Sequence, residues 1–488
     1  MKPYIIGIDL GTGSTKAIAM NHNGDIIDTS QISYPTLQPK PNYQEQDPDL
    51  IWQAFVKCIS TITSKQGHPD AICLSSAMHS VIPIDVNGNT LMNMMIWADN
   101  RSADHAREIR SSSLGQSIYE KGGTPIHAMT PLCKLAWLRE NEPVIFANAK
   151  KFISIKEYVW FRLFDVYECD YAIGSATGLM DIGSFQWNDD ALHLVSIESS
   201  QLSALVNTNH KRYCTNPELI SELGITNKTS FIIGASDGCL ANVGSFATRE
   251  GHLALTIGTS GAVRVTQSRP VRNFKAMTFN YLLNDHTYVC GGPVNNGGIA
   301  LKWYAENVLG RKLDTISDYS AMLKEIDEVP AGSEGLIFLP YVMGERAPIW
   351  DSHACGVFFG MRGHHRQKHF TRAVVEGISM ALYDITSNMN LDIQQIRVSG
   401  GFVHSEAWLQ IIADLFGKTV CLVNTADASA IGAAYLAMKE LGIISDFLQL
   451  EPKEFKEFHP RSENSDSYKK LHSKYRNLYE RVADLMVV

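Results

Sequence analysis

A strand, a glycine-rich turn and a second strand occur twice in this chain, about half its length apart. Ile5 to Leu10 is apolar, Gly11-Thr12-Gly13-Ser14 makes a tight turn, and Lys16 to Met20 is apolar again. Leu253 to Val265 repeats the pattern around Gly258-Thr259-Ser260-Gly261. Setting Asp9 against Thr256, a shift of 247 positions, aligns Leu10 with Ile257, Gly11 with Gly258 and Thr12 with Thr259. Self-similarity at a fixed offset is the mark of a duplicated unit. The 488 residues also exceed the ~250–300 that one hydrophobic core can serve. The copies differ where chemistry would differ: the first carries Asp9 and Lys16, the second Thr256 and Val263. Two domains facing a shared cleft are expected, residues 1–245 and 246–488, with the boundary in the segment from Gly244 to Gly251.

Between the hairpins, strands alternate with helices, which predicts an α/β architecture. Asp47-Pro48 opens a helix with a cap and a first-turn proline, followed by Trp52, Phe55, Ile59 and Ile62 at helical spacing. Ala71 to Ser75 is a short buried strand, and Ile82 to Asp85 is expected to continue its sheet. Ala430, Gly432, Ala433 and Ala434 form a small-residue face suited to close helix packing. Tyr468, Leu471, Tyr475, Leu478 and Val482 predict a terminal helix packed on its own domain, or otherwise a seam between two copies of the chain.

Composition removes several function classes. A net charge of −8 supplies no global field for nucleic acid or an anionic membrane. No apolar run reaches the ~18 residues of a membrane span, and no signal peptide is expected before Tyr4. Nine scattered Cys without a Cys-x-x-Cys pair read as reduced thiols in the cytoplasm.

Several segments could carry chemistry. A Gly-, Thr- and Ser-rich turn aims backbone N–H groups and hydroxyls at an anion, because glycine lets the backbone approach closely. Gly11, Thr12 and Lys16 are therefore candidate phosphate contacts, with Gly258 and Thr259 as their counterparts. Neither turn is a Walker A loop or a dinucleotide fingerprint. Two such turns beside an acidic strand end suit a nucleoside triphosphate with a divalent metal held by Asp9. Gly234-Ala235-Ser236-Asp237-Gly238 follows the apolar run Phe231-Ile232-Ile233 and could project the Asp237 carboxylate into the cleft. Met78, His79, Trp97 and Arg101 end apolar strand segments, where an indole covers C–H faces and basic groups donate to oxygens of a polyol or sugar acid. Gly400-Gly401, followed by Ser405 and a helix to about Phe416, offers a flat backbone surface for an adenine or phosphate.

Taken together the chain resembles the FGGY carbohydrate kinases, within the sugar kinase, Hsp70 and actin superfamily. Met129-Thr130-Pro131-Leu132-Cys133-Lys134-Leu135-Ala136-Trp137 resembles one family signature. Gly356-Val357-Phe358-Phe359-Gly360-Met361, with His369-Phe370 and Ala373-Val374-Val375-Glu376, resembles the other. The segments Ser75 to Ile82, Trp97 to Ser102 and Gly292 to Gly298 resemble those of family members acting on gluconate. The resemblance implies two actin-like (ribonuclease H-like) domains flanking a central ATP/sugar cleft, ATP and Mg²⁺ as cofactors, and a small sugar acid as substrate. It implies phosphorylation of D-gluconate to 6-phosphogluconate, with xylulose or another polyol as the alternative and a non-catalytic actin-like binding protein as the remoter one. Residue by residue it makes Asp237 the general base and Asp9 the magnesium organiser. Thr12 and Thr259 become phosphate contacts, and Gly400, Gly401 and Ser405 the adenosine segment. Met78, His79, Trp97 and Arg101 become the sugar contacts.

Overall fold

The computed structural model describes residues 3–423, 427–452 and 454–486. The chain folds into two compact units. One comprises Met1–Thr248, Gln267–Cys290 and Asp427–Glu451, the other Arg249–Thr266, Gly291–Ala426 and Pro452–Val488. The chain passes between them several times, so these units and a simple division into sequence halves are different partitions.

The first unit is built on a six-stranded sheet. Its strands are β1 (Tyr4–Leu10), β2 (Ser14–Asn21), β3 (Ile26–Ser33), β4 (Ala71–Ser76), β5 (Lys211–Tyr213) and β6 (Ser230–Ser236), in the spatial order β5-β6-β4-β1-β2-β3. The β1–β2 and β2–β3 pairs are antiparallel hairpins, whereas β1, β4 and β6 run parallel. Strands β1, β4 and β6 are buried almost throughout, as parallel strands covered on both faces must be. The predicted helix after Asp47 spans Pro48–Gln66, capped by the Asp47 side chain. It packs Trp52, Phe55, Ile59 and Ile62 into the core beneath β1 and β4. The helix Ala428–Glu440 packs through its small residues, as expected. A Cβ on Gly432 would stand 2.0 Å from Leu240 O, so only glycine allows this backbone approach.

One sequence expectation does not hold. Ile82–Ile84 leaves the main sheet and pairs with Lys151–Ile153 instead. Pro83 lacks the N–H that an interior ladder position would need, which suits a short two-stranded edge.

The second unit repeats the arrangement. Strands β7 (His252–Ile257) and β8 (Gly261–Gln267) form the antiparallel hairpin, and β7 runs parallel to β9 (Gln395–Ser399), which is followed by β10 (Thr419–Leu422) and β11 (Lys456–Phe458). The duplication extends to register. Asp9 lies beside Ser75 on the parallel neighbour in the first unit, and Thr256 lies beside Ser399 in the second. The terminal helix, Ser462–Val482, buries Tyr468, Leu471, Tyr475 and Leu478 against this unit, and Tyr475 shares a 2.8 Å hydrogen bond with Tyr341. Among the described residues no helix is long and apolar enough to cross a membrane.

Candidate active site

In the first unit the carboxylates of Asp237 and Asp427 act on that of Asp9. Asp9 is the one partly exposed residue of β1, followed by buried Leu10. Asp237 opens the helix Asp237–Gly244 directly after β6, where Ser236 supplies the N-cap. Gly234, at φ +69°, makes this junction possible: it sits at a break in the β4–β6 register, and a Cβ there would meet Leu74 O at 1.9 Å. Asp427 precedes the helix Ala428–Glu440, and Ser429 Oγ in that helix donates to Asp237 O at 3.2 Å. Desolvation, then the negative charges of Asp237 and Asp427, push the Asp9 carboxyl from 3.8 up to about 7; the Ser75 hydroxyl, donating to Oδ1 at 2.7 Å, and the Lys156 cation oppose the rise. A carboxylate crowded by two others is stabilised most effectively by a bound cation. Oxygen-only donors of this kind suit magnesium better than a softer metal.

Two lysines frame the cluster. Lys16 sits directly across the hairpin from Asp9 and pairs with Asp427 at 2.5 Å. Lys156 is buried, donating to Asp170 Oδ2 at 2.7 Å and to Ala235 O at 2.9 Å, two residues before Asp237.

Thr12, Gly11, Met78 and Trp97 line one small cavity together with Gln46 and Ser80. The Trp97 indole donates to Thr12 Oγ1 at 2.8 Å, which joins the phosphate-type turn to the expected sugar segment. His79 adopts φ +69° and is largely buried. Its Nδ1 donates to Ala176 O at 2.8 Å and its Nε2 meets the Tyr281 hydroxyl at 3.3 Å, so the neutral ring carries its proton on Nδ1.

Arg101 requires a correction. Expected as a donor to substrate, its side chain is only 2% exposed and is committed elsewhere. Its guanidinium binds both oxygens of Asp99 and Glu45 Oε1 at 2.7–3.0 Å, and lies 3.7 Å over the Tyr43 ring. A guanidinium held through Nε and Nη2 and stacked on an aromatic face is committed to the framework. Behind it, Asp99 also accepts from Gln44 N, tying residues 44–46 to the Trp97 segment.

The second unit holds a cavity of about 570 Å³. It is lined by the turn residues Gly258 and Thr259, by Gly298, Gly401 and Ser405, and by an apolar wall that includes Ile316, Tyr319 and Phe402. Gly298 N donates to Gly258 O at 2.7 Å, and a Cβ on Gly298 would crowd that oxygen at 2.8 Å. Gly401 meets nothing within 4 Å of an added Cβ, so its bare backbone faces open space. Gly400, at φ +104°, backs onto Ile257 and does not line the cavity. Ser405 caps the helix Glu406–Phe416 through Trp408 N.

Glu334, His364 and His365 also have metal-like spacing. Backbone N–H groups of Arg362 and Arg366 donate to Nδ1 of His365 and of neighbouring His369, which fixes both neutral rings as Nε2–H donors. His365 thus offers no Nε2 lone pair to a metal, and the Glu334 carboxylate lies instead 2.9 Å from His364 Nε2 and 3.7 Å from His369 Nε2.

Sequence reasoning did not single out Asp427 or Lys156, and it met the buried Lys134 only within a family signature. Only the small-residue helix after Asp427 gave any signal that this stretch packs closely.

Comparison with known proteins gives the family. The N-terminal domain of the FGGY family of carbohydrate kinases matches residues 4–244, and the C-terminal domain matches 253–441. A gluconokinase of Bacillus licheniformis is 39% identical, covering 98% of this chain and 96% of its own length. A crystal structure of gluconate kinase from Lactobacillus acidophilus superposes with a TM-score of 0.94 at 34% identity, covering 99% of each chain. A ligand-bound xylulose kinase structure from the same organism gives the same TM-score and identity, covering 99% of this chain and 98% of that one. With both family domains matched in order over most of its length, the chain belongs to the FGGY carbohydrate kinases and has their two-domain α/β fold.

Proposed function

We propose that the protein transfers the γ-phosphoryl group of ATP to the terminal hydroxyl of D-gluconate, giving 6-phosphogluconate. The observation that carries the substrate assignment is the 39% identity, over nearly both full lengths, to a protein named gluconokinase. The carboxylate cluster supports the chemistry. Asp237 is the general base: its Oδ1 is held by the Gly238 N–H at 2.6 Å, which fixes the side chain for proton abstraction from the acceptor hydroxyl. Asp9 and Asp427 would hold magnesium, directly or through water, and the ion would neutralise charge on the transferring group. Thr12 and Lys16 would contact phosphate. The cavity with Gly258, Thr259, Gly298, Gly401 and Ser405 would hold the nucleotide, its apolar wall covering the base. Met78, His79 and Trp97 would contact the sugar. ATP as donor fits a cytoplasmic setting.

Xylulose is the competing substrate, because a structure titled xylulose kinase is as similar as one titled gluconate kinase. A coupled ADP-release assay over gluconate, xylulose and glycerol decides between them. Gluconate is expected to give the highest kcat/KM; xylulose ahead of gluconate would overturn the substrate assignment. ADP release unaffected by any sugar would remove the kinase reading itself.

A further inference from the structure

Lys134, in the helix Pro131–Asn141, is wholly buried, yet among the described residues no carboxylate is bonded to it. Its Nζ donates to two backbone carbonyls, His79 O at 2.6 Å and Ile96 O at 2.7 Å. These carbonyls stand where a backbone ladder runs out. Val81 and Met95 exchange a pair of hydrogen bonds (3.0 and 3.1 Å). Beyond them the two chains part: His79 turns away at φ +69°, and Ile96 N bonds to Gln44 O. The amine bridges the two chains just past their last shared pair, where Ile96 O also accepts from Asp99 N at 3.1 Å.

We propose that Lys134 is a positioning residue for the sugar, clamping the His79 and Ile96 carbonyls so that the two loops carrying the sugar contacts keep a fixed separation. The proposal rests on the functional reading above for which loops hold the sugar. From Ile96 the next residue is Trp97, whose indole reaches Thr12; from His79 the imidazole is held against Ala176 and Tyr281. Movement of either carbonyl would therefore move a sugar contact directly. Burying an amine without a carboxylate partner is costly, and an apolar side chain of similar length would serve packing alone better. Burial pushes the Lys134 amine down to about 7 against the opposing pull of the Asp99 carboxylate.

The test is steady-state kinetics of the full-length Lys134→Met variant, on whichever sugar the unaltered enzyme turns over best, with thermal unfolding alongside. The sugar KM is expected to rise at least tenfold while the ATP KM stays within twofold, because the nucleotide cavity is lined by other residues. Unchanged values of both, or a parallel loss in both, would overturn the clamp. Should Lys134→Met fail to fold, Lys134→Gln keeps a donor at the site. An intermediate rise in sugar KM with ATP KM unmoved supports the proposal; a folded Lys134→Gln with normal sugar KM, or one that also fails to fold, makes the residue a purely structural staple. An unaltered enzyme inactive on gluconate but active on xylulose would refute only the substrate assignment, since the comparison is then made on xylulose.

Discussion

Replacing Asp9 with Asn is expected to stabilise the metal-free protein while abolishing phosphoryl transfer. The Asp9 carboxyl is raised from 3.8 to about 7, chiefly by desolvation and then by Asp237. A tenfold change in proton affinity is worth about 1.4 kcal/mol, so an ionised Asp9 costs the fold up to about 4 kcal/mol above pH 7. Solvent still reaches part of the side chain, which reduces the expected figure to about 2 kcal/mol. The sign follows from linkage. With the folded value above the unfolded one, the contribution is fully present below pH 3.8, declines as pH rises towards 7, and is flat beyond. Asn keeps an oxygen for the Ser75 hydroxyl and carries no charge. Denaturant unfolding of both proteins in chelator-treated buffer between pH 5 and pH 8 measures the difference. The Asn variant should gain about 2 kcal/mol over the unaltered protein at pH 8 and progressively less as the pH falls. Magnesium with nucleotide should then stabilise the unaltered protein more than the variant. A difference independent of pH, or a variant less stable at pH 8, would refute the crowded-carboxylate account.

Three further substitutions separate the proposed roles. Asp237→Asn should lower kcat by roughly 10²–10⁴-fold with the sugar KM little changed, and a loss under tenfold removes Asp237 as the base. Arg101→Ala leaves the Asp99 and Glu45 carboxylates without their cation and should destabilise by about 3–5 kcal/mol in denaturant unfolding. It should impair gluconate and a neutral polyol alike, so a loss confined to gluconate would return Arg101 to the substrate. Gly401→Leu, projecting into the second unit's cavity where an added Cβ meets no protein atom, should raise the ATP KM at least tenfold and leave the sugar KM and melting temperature unchanged. Equal rises in both KM values would show that the cavity is not the nucleotide site.

How far the site was legible depended on whether its parts were local in sequence. The two hairpins could be read because a glycine-rich turn between apolar strands is a local pattern, and their registers confirm it. Asp237 could be singled out because its strand and turn are contiguous. The Lys16–Asp427 pair could not, since 411 positions separate its partners and a single Asp before an alanine-rich helix has no signature. Arg101 misled for a different reason: its chemical type suggested a donor to substrate, and nothing in the sequence shows that Asp99, two positions away, and Glu45, 56 positions away, both take up its guanidinium. Pattern reveals which elements form, whereas whether a charged side chain is available is decided by neighbours that only tertiary packing supplies.

The duplication makes the distribution of charge interpretable. Equivalent strand positions carry Asp9 beside Ser75 in one unit and Thr256 beside Ser399 in the other, with the hydroxyls of Thr256 and Ser399 only 3.1 Å apart. Both copies thus keep a short polar pair where the central strand ends, and both follow it with a turn able to present N–H groups. An acidic strand end beside a cavity would repel a phosphate-bearing ligand placed there. The neutral pair at Thr256 therefore suits the unit whose cavity has the size and apolar wall for a nucleoside, and the acidic pair at Asp9 suits the unit that carries Asp237. The hairpins themselves differ by one residue in the turn, so Lys16 faces Asp9 in the first whereas Ala262 faces Thr256 in the second, and the second loses both charges of that cross-strand pair.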